Sequence, residues 1–350
     1  MHAPTPKRRG RRAALATVAA AGLAAAAAVE RRHLRSLADD QEYGRLSAPL
    51  GGRPFRVASA DGTSLYAEAF GPDSDPTRPA MVFAHGWTEQ LSFWGPVIKH
   101  LESSELRLIA FDLRGHGRSA PGVHADYGLE RFGEDVDAIV RAADSGDGRV
   151  TVVGHSLGAM AIAAWAEHHE PSDHAQAAAL VNTGLGDLLA GHLLFGELAK
   201  ILNHPRASRA FMGARLRVPP FSSPLQQAVI RYAAFGPDAT PAQVAFYERM
   251  LIECPAEVRA ACGAALSDMD LWDAVANLTI PTLVVTGDRD RLTPPVLARR
   301  IAEDLPQPAG LIELRDTGHM SPLERPAELS EALERLARET TPVLPISSGL

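Results

Sequence analysis

The 350-residue sequence predicts an α/β fold in which a doubly wound, mostly parallel sheet carries an inserted helical cap. Three observations support this prediction. Short apolar runs alternate with amphipathic helical patterns from Pro54 onward, which is typical of strands joined by crossover helices. The later runs are continuously apolar and rich in β-branched residues, as in strands buried on both faces. Residues 185–279 interrupt the alternation with helix-like patterns only, and an interval of that length favours a helical insertion.

The sheet is predicted to start with an antiparallel hairpin and to continue in parallel. Residues 55–59 and 64–70 flank Asp61-Gly62, which is a hairpin-turn signal. Six further apolar runs follow, at residues 80–86, 106–112, 150–156, 178–184, 281–287 and 310–314. Helical patterns lie between them, and one pattern places a single 3.6-period face on Leu129, Phe132, Val136, Ile139, Val140 and Ala143.

These patterns divide the chain into five parts. Residues 1–52 form an N-terminal segment that resembles a signal or anchor, followed by a linker over 36–52. Residues 53–184 and 280–340 are the two parts of the α/β core. Residues 185–279 are the helical cap, for which a set of long connecting helices is the alternative. Residues 341–350 form a loose tail.

Composition excludes several classes of protein. The chain has 35 Lys and Arg against 42 Asp and Glu, so its net charge of −7 gives no reason to expect a nucleic-acid partner. Cys254 and Cys262 are the only two cysteines, which excludes a disulfide scaffold. If both lie on one helix, about 12 Å separates them along its axis. That distance is too long for a disulfide, so we expect two buried free thiols.

The N-terminal segment has the layout of an export signal or a membrane anchor. Basic residues at 7–12 precede an uncharged, alanine-rich stretch at 13–29, and Glu30, Arg31 and Arg32 follow it. As a helix this stretch spans about 25 Å, slightly less than the roughly 30 Å hydrocarbon core. The charge layout predicts an exported or membrane-anchored protein that contacts the membrane through residues 13–29. The alternative is a frayed alanine-rich helix on a cytoplasmic protein.

The strongest chemical signal is Gly154-His155-Ser156-Leu157-Gly158. It follows a β-branched run and precedes an alanine-rich helical pattern, which is the context of a nucleophile elbow. The turn from strand to helix is so tight that side chains at both glycine positions would clash with neighbouring backbone. It raises the Ser156 hydroxyl above the sheet and leaves the Leu157 N–H at a helix N-terminus, where an anion is favoured.

A serine hydroxyl needs a base to become a good nucleophile. Of the thirteen histidines, His319 is the last in the chain. It follows the final predicted strand and precedes a predicted helix at 326–339, and α/β sheets place reactive groups on such strand-end loops. We therefore expect His319 to be the general base. A carboxylate must in turn orient the base, and both Asp288 and Asp290 lie on the loop after the strand at 281–287.

Residue spacing alone does not choose between these two aspartates, but the chain order of serine, aspartate and histidine is informative. It is the order found in α/β-hydrolases, and the sequence resembles that superfamily over roughly residues 55–340. The resemblance implies that the acid stands three residues after the strand-ending Gly287, at Asp290. Asp288 is the fallback, and if it is not catalytic we expect it to cap the loop.

The resemblance also implies an oxyanion hole. His85-Gly86-Trp87 follows a predicted strand, and in the family the residue after the glycine donates the second backbone N–H. Trp87 and Leu157 are thus the two implied donors, and His85 is expected to be structural. The Trp87 side chain is expected either to line the pocket or to pack in the core. A second family-like segment supplies loop hydrogen-bonding groups rather than catalysts, namely Asp112, Arg114 and His116.

These residues predict a serine hydrolase that cleaves a carboxylic ester through an acyl-enzyme on Ser156. No phosphate-binding loop, dinucleotide motif or metal-ligand motif is present, so no cofactor and no metal are expected. The expected partner is a small-molecule ester, with an apolar group favoured by the apolar cap sequence. Alternatives are hydrolysis of a C–C bond, a cofactor-free perhydrolase or haloperoxidase-like activity, a membrane-surface lipase, or a ligand-binding protein on this fold. The sequence does not indicate an oligomeric state.

Overall fold

The computed structural model describes residues 28, 31–32, 35–71, 78–146, 149–186, 209–210, 212–215 and 222–340. These residues form one eight-stranded sheet with helices packed on both faces. The predicted α/β class with a mostly parallel sheet is therefore confirmed.

The sheet has the strand order β1-β2-β4-β3-β5-β6-β7-β8. Strand β2 is antiparallel to both β1 and β4, and all other neighbours are parallel. The predicted antiparallel hairpin and the parallel continuation are thus both present. The strands are β1 (Arg53–Ala58), β2 (Ser64–Phe70), β3 (Ala80–Ala84), β4 (Arg107–Phe111), β5 (Val150–His155), β6 (Ala177–Val181), β7 (Thr282–Gly287) and β8 (Pro308–Leu314).

Helices cover both faces of this sheet because each carries an apolar stripe. Helices α3, α4 and α8 enclose one apolar cluster, and α2 and α10 enclose the other. The predicted face of α3 is buried except for Leu129, which is half-buried. The helices are α1 (Gln41–Ser47), α2 (Gly95–Leu101), α3 (Leu129–Ala143), α4 (Leu157–His168), α5 (Pro224–Ala234), α6 (Pro241–Glu253), α7 (Ala256–Ser267), α8 (Pro295–Asp304), α9 (Ser321–Glu324) and α10 (Pro326–Thr340).

Helices α5, α6 and α7 occupy the interval between β6 and β7, where the sequence predicts a cap. In the described part of that interval, an isolated bridge between Gly186 and Asp270 is the only extended pairing. A third apolar cluster joins α5 and α6 to the segment that follows His319, through Met320 and Leu323. Helices α5 and α6 therefore rest directly on the segment that follows the predicted base.

Helix α1 lies inside the segment that the sequence predicts as a linker, and that prediction was wrong here. Asp40 caps the helix by accepting hydrogen bonds from the N–H groups of Glu42 and Tyr43. The helix has only 7 residues, too few to show a periodic pattern. Tyr43 and Leu46 pack against the third apolar cluster, so tertiary contact stabilises what the sequence does not reveal.

The predicted signal or anchor stretch at residues 13–29 lies outside the described residues, apart from residue 28. The predicted tail at 341–350 lies outside them as well. Across the part of the chain that is described, no helix combines the length and apolar character needed to span a membrane.

The two cysteines do not share a helix, contrary to the premise of the sequence argument. Cys254 directly follows α6, and Cys262 lies within α7 beyond the break at Pro255. Both thiols are free and buried, as predicted. Burial raises the pKa of the Cys254 thiol to about 11 and also raises the pKa of Cys262, which disfavours the reactive thiolate.

Candidate active site

The predicted site residues converge at the carboxyl edge of the sheet. Strands β3 and β5 are neighbours, while β4 lies on the other side of β3. The chain thus reverses its winding direction between β3 and β5, and such a switch point opens a crevice beyond the strand ends. The loop after β3 carries Trp87, and Ser156 directly follows β5. The loops after β7 and β8 carry Asp290 and His319.

Ser156 occupies a strained turn between β5 and α4. Its backbone has φ of 50° and ψ of −114°, a region that residues with a side chain rarely adopt. Its N–H donates to the Val181 carbonyl at 2.9 Å, which ties the turn to β6. A Cβ at Gly158 would lie 2.3 Å from the Ala84 carbonyl oxygen, and one at Gly154 would lie 2.5 Å from the backbone of α4. The close backbone approach predicted at both glycines is therefore present.

Asp290 and His319 form a direct buried pair. The distance from His319 Nδ1 to Asp290 Oδ2 is 2.8 Å, and both residues are at least 95% buried. Four further donors bind the same carboxylate. They are the Asn182 amide at 2.9 Å, the Thr293 hydroxyl at 2.8 Å, and the backbone N–H groups of Leu292 and Thr293 at 2.9 Å each.

These contacts determine the charge of the pair and the tautomer of the ring. Burial by itself raises the pKa of Asp290, but the His319 ring and the hydrogen bonds outweigh burial and lower that pKa. Asp290 is therefore a carboxylate at neutral pH, and a carboxylate only accepts hydrogen bonds. The proton of a neutral His319 ring must then lie on Nδ1, which leaves the Nε2 lone pair available as a base.

The elbow and the His319 loop are bonded to each other. His155, the residue before Ser156, lies 2.9 Å through its Nε2 from the backbone carbonyl of His319. The two imidazole centroids are 4.9 Å apart. Asp288 faces elsewhere, because its carboxylate accepts the N–H of Thr317 at 3.2 Å. It thus caps the loop, which is the role expected if Asp290 is the acid.

The loop after β3 approaches the elbow from the other side of the switch point. Leu157 is the first residue of α4, so its N–H belongs to the group that a helix leaves without an intrahelical acceptor. The Trp87 indole is half-buried and lies against Gly263 of α7. Within the described residues, the buried indole Nε1–H has no hydrogen-bond acceptor. His85 accepts the N–H of Leu113 at 3.0 Å and is fully buried, consistent with a structural role.

The second family-like segment supports loops, as predicted. Asp112 accepts the N–H groups of Leu91 and Arg118 at 2.7 and 2.8 Å. Arg114 forms a buried ion pair with Asp135 at 2.6 Å. His116 bonds through Nδ1 to the Arg114 carbonyl at 3.0 Å. Among the described residues, no three acidic, histidine or cysteine side chains come together as a metal site.

Sequence reasoning missed three polar residues at this edge, namely Glu89, Asn182 and Thr293. Asn182 directly follows β6, and Thr293 lies three residues after Asp290. Both bind the Asp290 carboxylate, and only Asn182 carries a sequence signal, as a polar residue just beyond a strand end. Thr293 and Glu89 have no such signal, because they lie six and five residues beyond the ends of β7 and β3.

The eight-stranded, mostly parallel sheet and the polar residues on the loops after its strands are typical of α/β enzymes. The chain belongs to the α/β hydrolase fold family, whose model matches residues 79–326. The expectation drawn from the sequence motifs is thereby confirmed at the level of the family.

Known proteins similar to this chain carry several activities in their names. A non-heme chloroperoxidase from Streptomyces lividans is 26% identical over 243 residues, covering 68% of this chain and 83% of that protein. The 3-oxoadipate enol-lactonase 2 of Acinetobacter baylyi is 25% identical over 264 residues, covering 75% and 89%. The structure of a thermophilic esterase from Thermogutta terrifontis aligns with a TM-score of 0.66 at 19% identity, covering 82% and 99%.

Proposed function

We propose that this hydrolase cleaves a carboxylic ester through an acyl-enzyme formed on Ser156. The observation that carries the proposal is the buried hydrogen bond between His319 Nδ1 and Asp290, at the sheet edge where Ser156 is raised. Because Asp290 holds the ring proton on Nδ1, the lone pair of Nε2 can accept a proton from the serine.

The reaction needs no group beyond these residues. Ser156 Oγ attacks the ester carbonyl while its proton passes to Nε2 of His319. The negative oxygen then accepts hydrogen bonds from the N–H groups of Leu157 and Trp87, each worth about 3–4 kcal/mol at the transition state. The protonated His319 gives its proton to the departing alkoxide, which leaves as the alcohol. Water, deprotonated by His319, attacks the acyl-enzyme and releases the acid.

The proposed substrate is a small ester with an apolar acyl or alcohol group. The Trp87 indole and the apolar cluster of the helices between β6 and β7 lie beside the loops of the site. The name of the Acinetobacter baylyi relative describes a lactonase, and a lactone is an internal ester. The membrane association proposed for residues 13–29 would present this site to substrates dissolved at a lipid surface, as a lipase requires.

A cofactor-free perhydrolase or haloperoxidase-like activity is the second candidate. Its support is the Streptomyces lividans relative, whose name describes a non-heme chloroperoxidase. Both activities proceed through the same acyl-enzyme, and they differ in whether hydrogen peroxide or water attacks it. Competition between the two nucleophiles on one acetyl ester therefore separates the candidates, with peracid formation as the readout for the second.

A fluorophosphonate probe tests the proposal directly. Full-length protein is expected to form one covalent adduct on Ser156, located by peptide mass spectrometry, and Ser156→Ala is expected to form none. The substrate panel combines p-nitrophenyl esters of increasing chain length, a lactone, an emulsified triglyceride and a vinylogous diketone for C–C hydrolysis. Folded protein without an adduct at Ser156 contradicts the proposal. Turnover of the diketone alone would identify a C–C bond, rather than an ester bond, as the bond that the enzyme cleaves.

The proposed location is export or membrane anchoring through residues 13–29. Fractionation of cells that produce the full chain is expected to place it with the membrane or outside the cytoplasm. A variant with Asp at two alanines of the stretch is the matched control, because two buried charges oppose insertion. Wild-type protein found only in the cytoplasm contradicts this proposal and favours the cytoplasmic alternative.

A further inference from the structure

A second buried carboxylate–histidine pair lies beside the predicted triad. Glu89 and His155 are 3% and 0% exposed, and Glu89 Oε2 lies 3.1 Å from His155 Nδ1. The opposite ring nitrogen, Nε2, lies 2.9 Å from the backbone carbonyl oxygen of His319. The His155 ring is therefore hydrogen-bonded through one nitrogen to the Glu89 carboxyl group and through the other to the backbone of the predicted base.

These contacts determine the protonation of the His155 ring. A backbone carbonyl only accepts hydrogen bonds, so Nε2 carries a proton. Nδ1 faces the Glu89 carboxyl group, and the raised pKa of His155 favours a proton on this nitrogen as well, so we infer that the ring is an imidazolium. Burial by itself lowers the pKa of His155, but the Glu89 carboxylate, the His319 carbonyl and the Asp290 charge together outweigh burial and raise that pKa. A ring with both nitrogens committed as donors cannot serve as a base, so the pair has no direct part in proton transfer.

The pair touches three separate loops of the site. Glu89 Oε2 accepts the N–H of Gly86 at 2.5 Å, in the loop that carries Trp87. A Cβ at Gly86 would lie 2.8 Å from both Glu89 Oε2 and His155 Nδ1, so this backbone rests directly on the pair. His155 itself belongs to the elbow, and its other hydrogen bond reaches the loop of His319.

The surroundings enclose the pair. The Phe93 ring lies 4.7 Å from the His155 ring, and the Trp94 ring lies 6.4 Å from it. In the described part of the chain, Glu89 is the carboxylate that contacts His155, whereas Asp290 acts on it only through longer-range attraction. Hydrogen bonds in such an enclosed site are strong and leave little freedom to the groups they join.

We propose that Glu89 and His155 are positioning residues that hold the oxyanion loop, the nucleophile elbow and the His319 loop in register. The proposal rests on the proposed function, because it assigns the geometry of the same site. Loss of either partner frees the His319 carbonyl or the Gly86 N–H, and the loops can then shift relative to Ser156. A displacement of about 1 Å between reacting groups lowers turnover by up to about 100-fold.

The test compares Glu89→Ala, His155→Ala, the double variant and the conservative Glu89→Gln. Asp135→Ala is the matched control, since Asp135 is also a fully buried carboxylate with a cationic partner but touches none of the three loops. For each folded variant, kcat, KM and the rate of fluorophosphonate labelling are measured beside the unfolding midpoint. The double variant contains no unpaired buried charge and serves where a single variant does not fold.

Each single alanine variant is expected to lower kcat by about 10- to 100-fold with little change in KM. The double variant is expected to lose no more than the worse single variant. Glu89→Gln is expected to recover part of kcat because its amide oxygen still accepts the Gly86 N–H, although a His155 ring without the carboxylate is neutral and no longer donates from Nδ1. Asp135→Ala is expected to lower the unfolding midpoint without lowering kcat of the folded fraction. Wild-type kcat in Glu89→Ala, or losses that multiply in the double variant, would overturn the proposal.

A second measurement separates this inference from the proposed function. Imidazole ¹⁵N NMR at about pH 6, with His155→Gln for assignment, is expected to show a ring protonated on both nitrogens. A singly protonated His155 ring overturns the pair whatever the activity. If wild type neither labels nor hydrolyses esters while the doubly protonated ring is present, the proposed ester chemistry fails and the structural pair stands.

Discussion

Two buried carboxylate–histidine pairs lie side by side at the edge of the sheet, and they differ at a single nitrogen. In each pair the Nδ1 atom of the histidine faces a carboxylate, at 2.8 Å for Asp290–His319 and 3.1 Å for Glu89–His155. The Nε2 atom of His155 is committed to a backbone carbonyl. Within the described residues, the hydrogen bonds of the His319 ring run through Nδ1, to Asp290 and Thr293.

The difference shows that a carboxylate partner alone does not make a histidine a base. The second ring nitrogen determines whether the histidine can act as a base, because only a nitrogen with a free lone pair can accept a proton. His85 is a third case, since its Nδ1 donates to the Gly86 carbonyl at 2.8 Å and its Nε2 accepts from Leu113. Without a carboxylate, burial lowers the pKa of His85 well below its ordinary value, and the ring stays neutral.

The largest expected effect separates the two histidines directly. His319→Gln removes the proposed base, and kcat for p-nitrophenyl acetate is expected to fall by roughly 10⁵- to 10⁶-fold. His155→Gln keeps a side-chain donor near the His319 carbonyl and is expected to lose no more than about 100-fold. Steady-state kinetics on both folded variants make the comparison, and equal losses would contradict the distinction drawn between the two rings.

The second prediction concerns the acid. Asp290→Asn replaces an acceptor with an amide that can donate to Nδ1, which favours the tautomer with its proton on Nε2. A ring in that tautomer cannot accept the serine proton, so kcat is expected to fall by about 10⁴-fold. Asp288→Asn is the matched control, because it alters one loop hydrogen bond, and it is expected to change kcat by less than about threefold. A larger loss of kcat in Asp288→Asn than in Asp290→Asn would indicate that Asp288 is the acid.

The third prediction concerns the pH dependence of stability. Burial lowers the pKa of His116 from its ordinary 6.5 to about 4, so between these values only the unfolded chain binds that proton. Stability therefore falls as pH falls through this range, by roughly 3 kcal/mol from this ring. Denaturant unfolding at several pH values is expected to show a shallower acid loss in His116→Gln than in wild type.

The pH dependence of stability has the opposite sign for His155, because Glu89 helps to raise the pKa of this ring. Its contribution to stability is fully present below the ordinary value of 6.5 and declines as pH rises through the raised pKa. The stability advantage of wild type over His155→Gln is therefore expected to shrink with rising pH. Parallel curves for wild type and both variants would show that neither ring titrates differently on folding, contrary to the comparison.

The smallest expected effect concerns Asn182, which donates a hydrogen bond to Asp290 but takes no direct part in the proposed proton transfer. Asn182→Gly removes one of five donors to Asp290 while tolerating the left-handed backbone at this position, where φ is 48°. A hydrogen bond to a charged group contributes about 1.5–3 kcal/mol to stability, and if about half of this acts at the transition state, kcat falls by about 10-fold. His124→Gly makes the same change at an exposed left-handed residue, and equal kinetics in both variants would contradict a role for Asn182.

The fold and the proposed chemistry could be inferred from local patterns because both depend on short stretches of sequence. Strands β5 and β7 are rich in β-branched residues and are buried along their whole length, as expected for strands covered on both faces. The elbow is equally local, since steric exclusion of Cβ at Gly154 and Gly158 depends only on one turn. Helix α1 was missed because seven residues show no period and its apolar side chains act only against a distant cluster.

The sequence by itself determined the class of fold, the strained Ser156 turn and the two candidate aspartates for the acid. Only the tertiary structure decided that Asp290, not Asp288, contacts His319, and that Glu89 reaches His155. The physical reason is that a side chain's role depends on which groups share its burial. Residues 66 positions apart, such as Glu89 and His155, become partners only when separate strands end at one edge of the sheet.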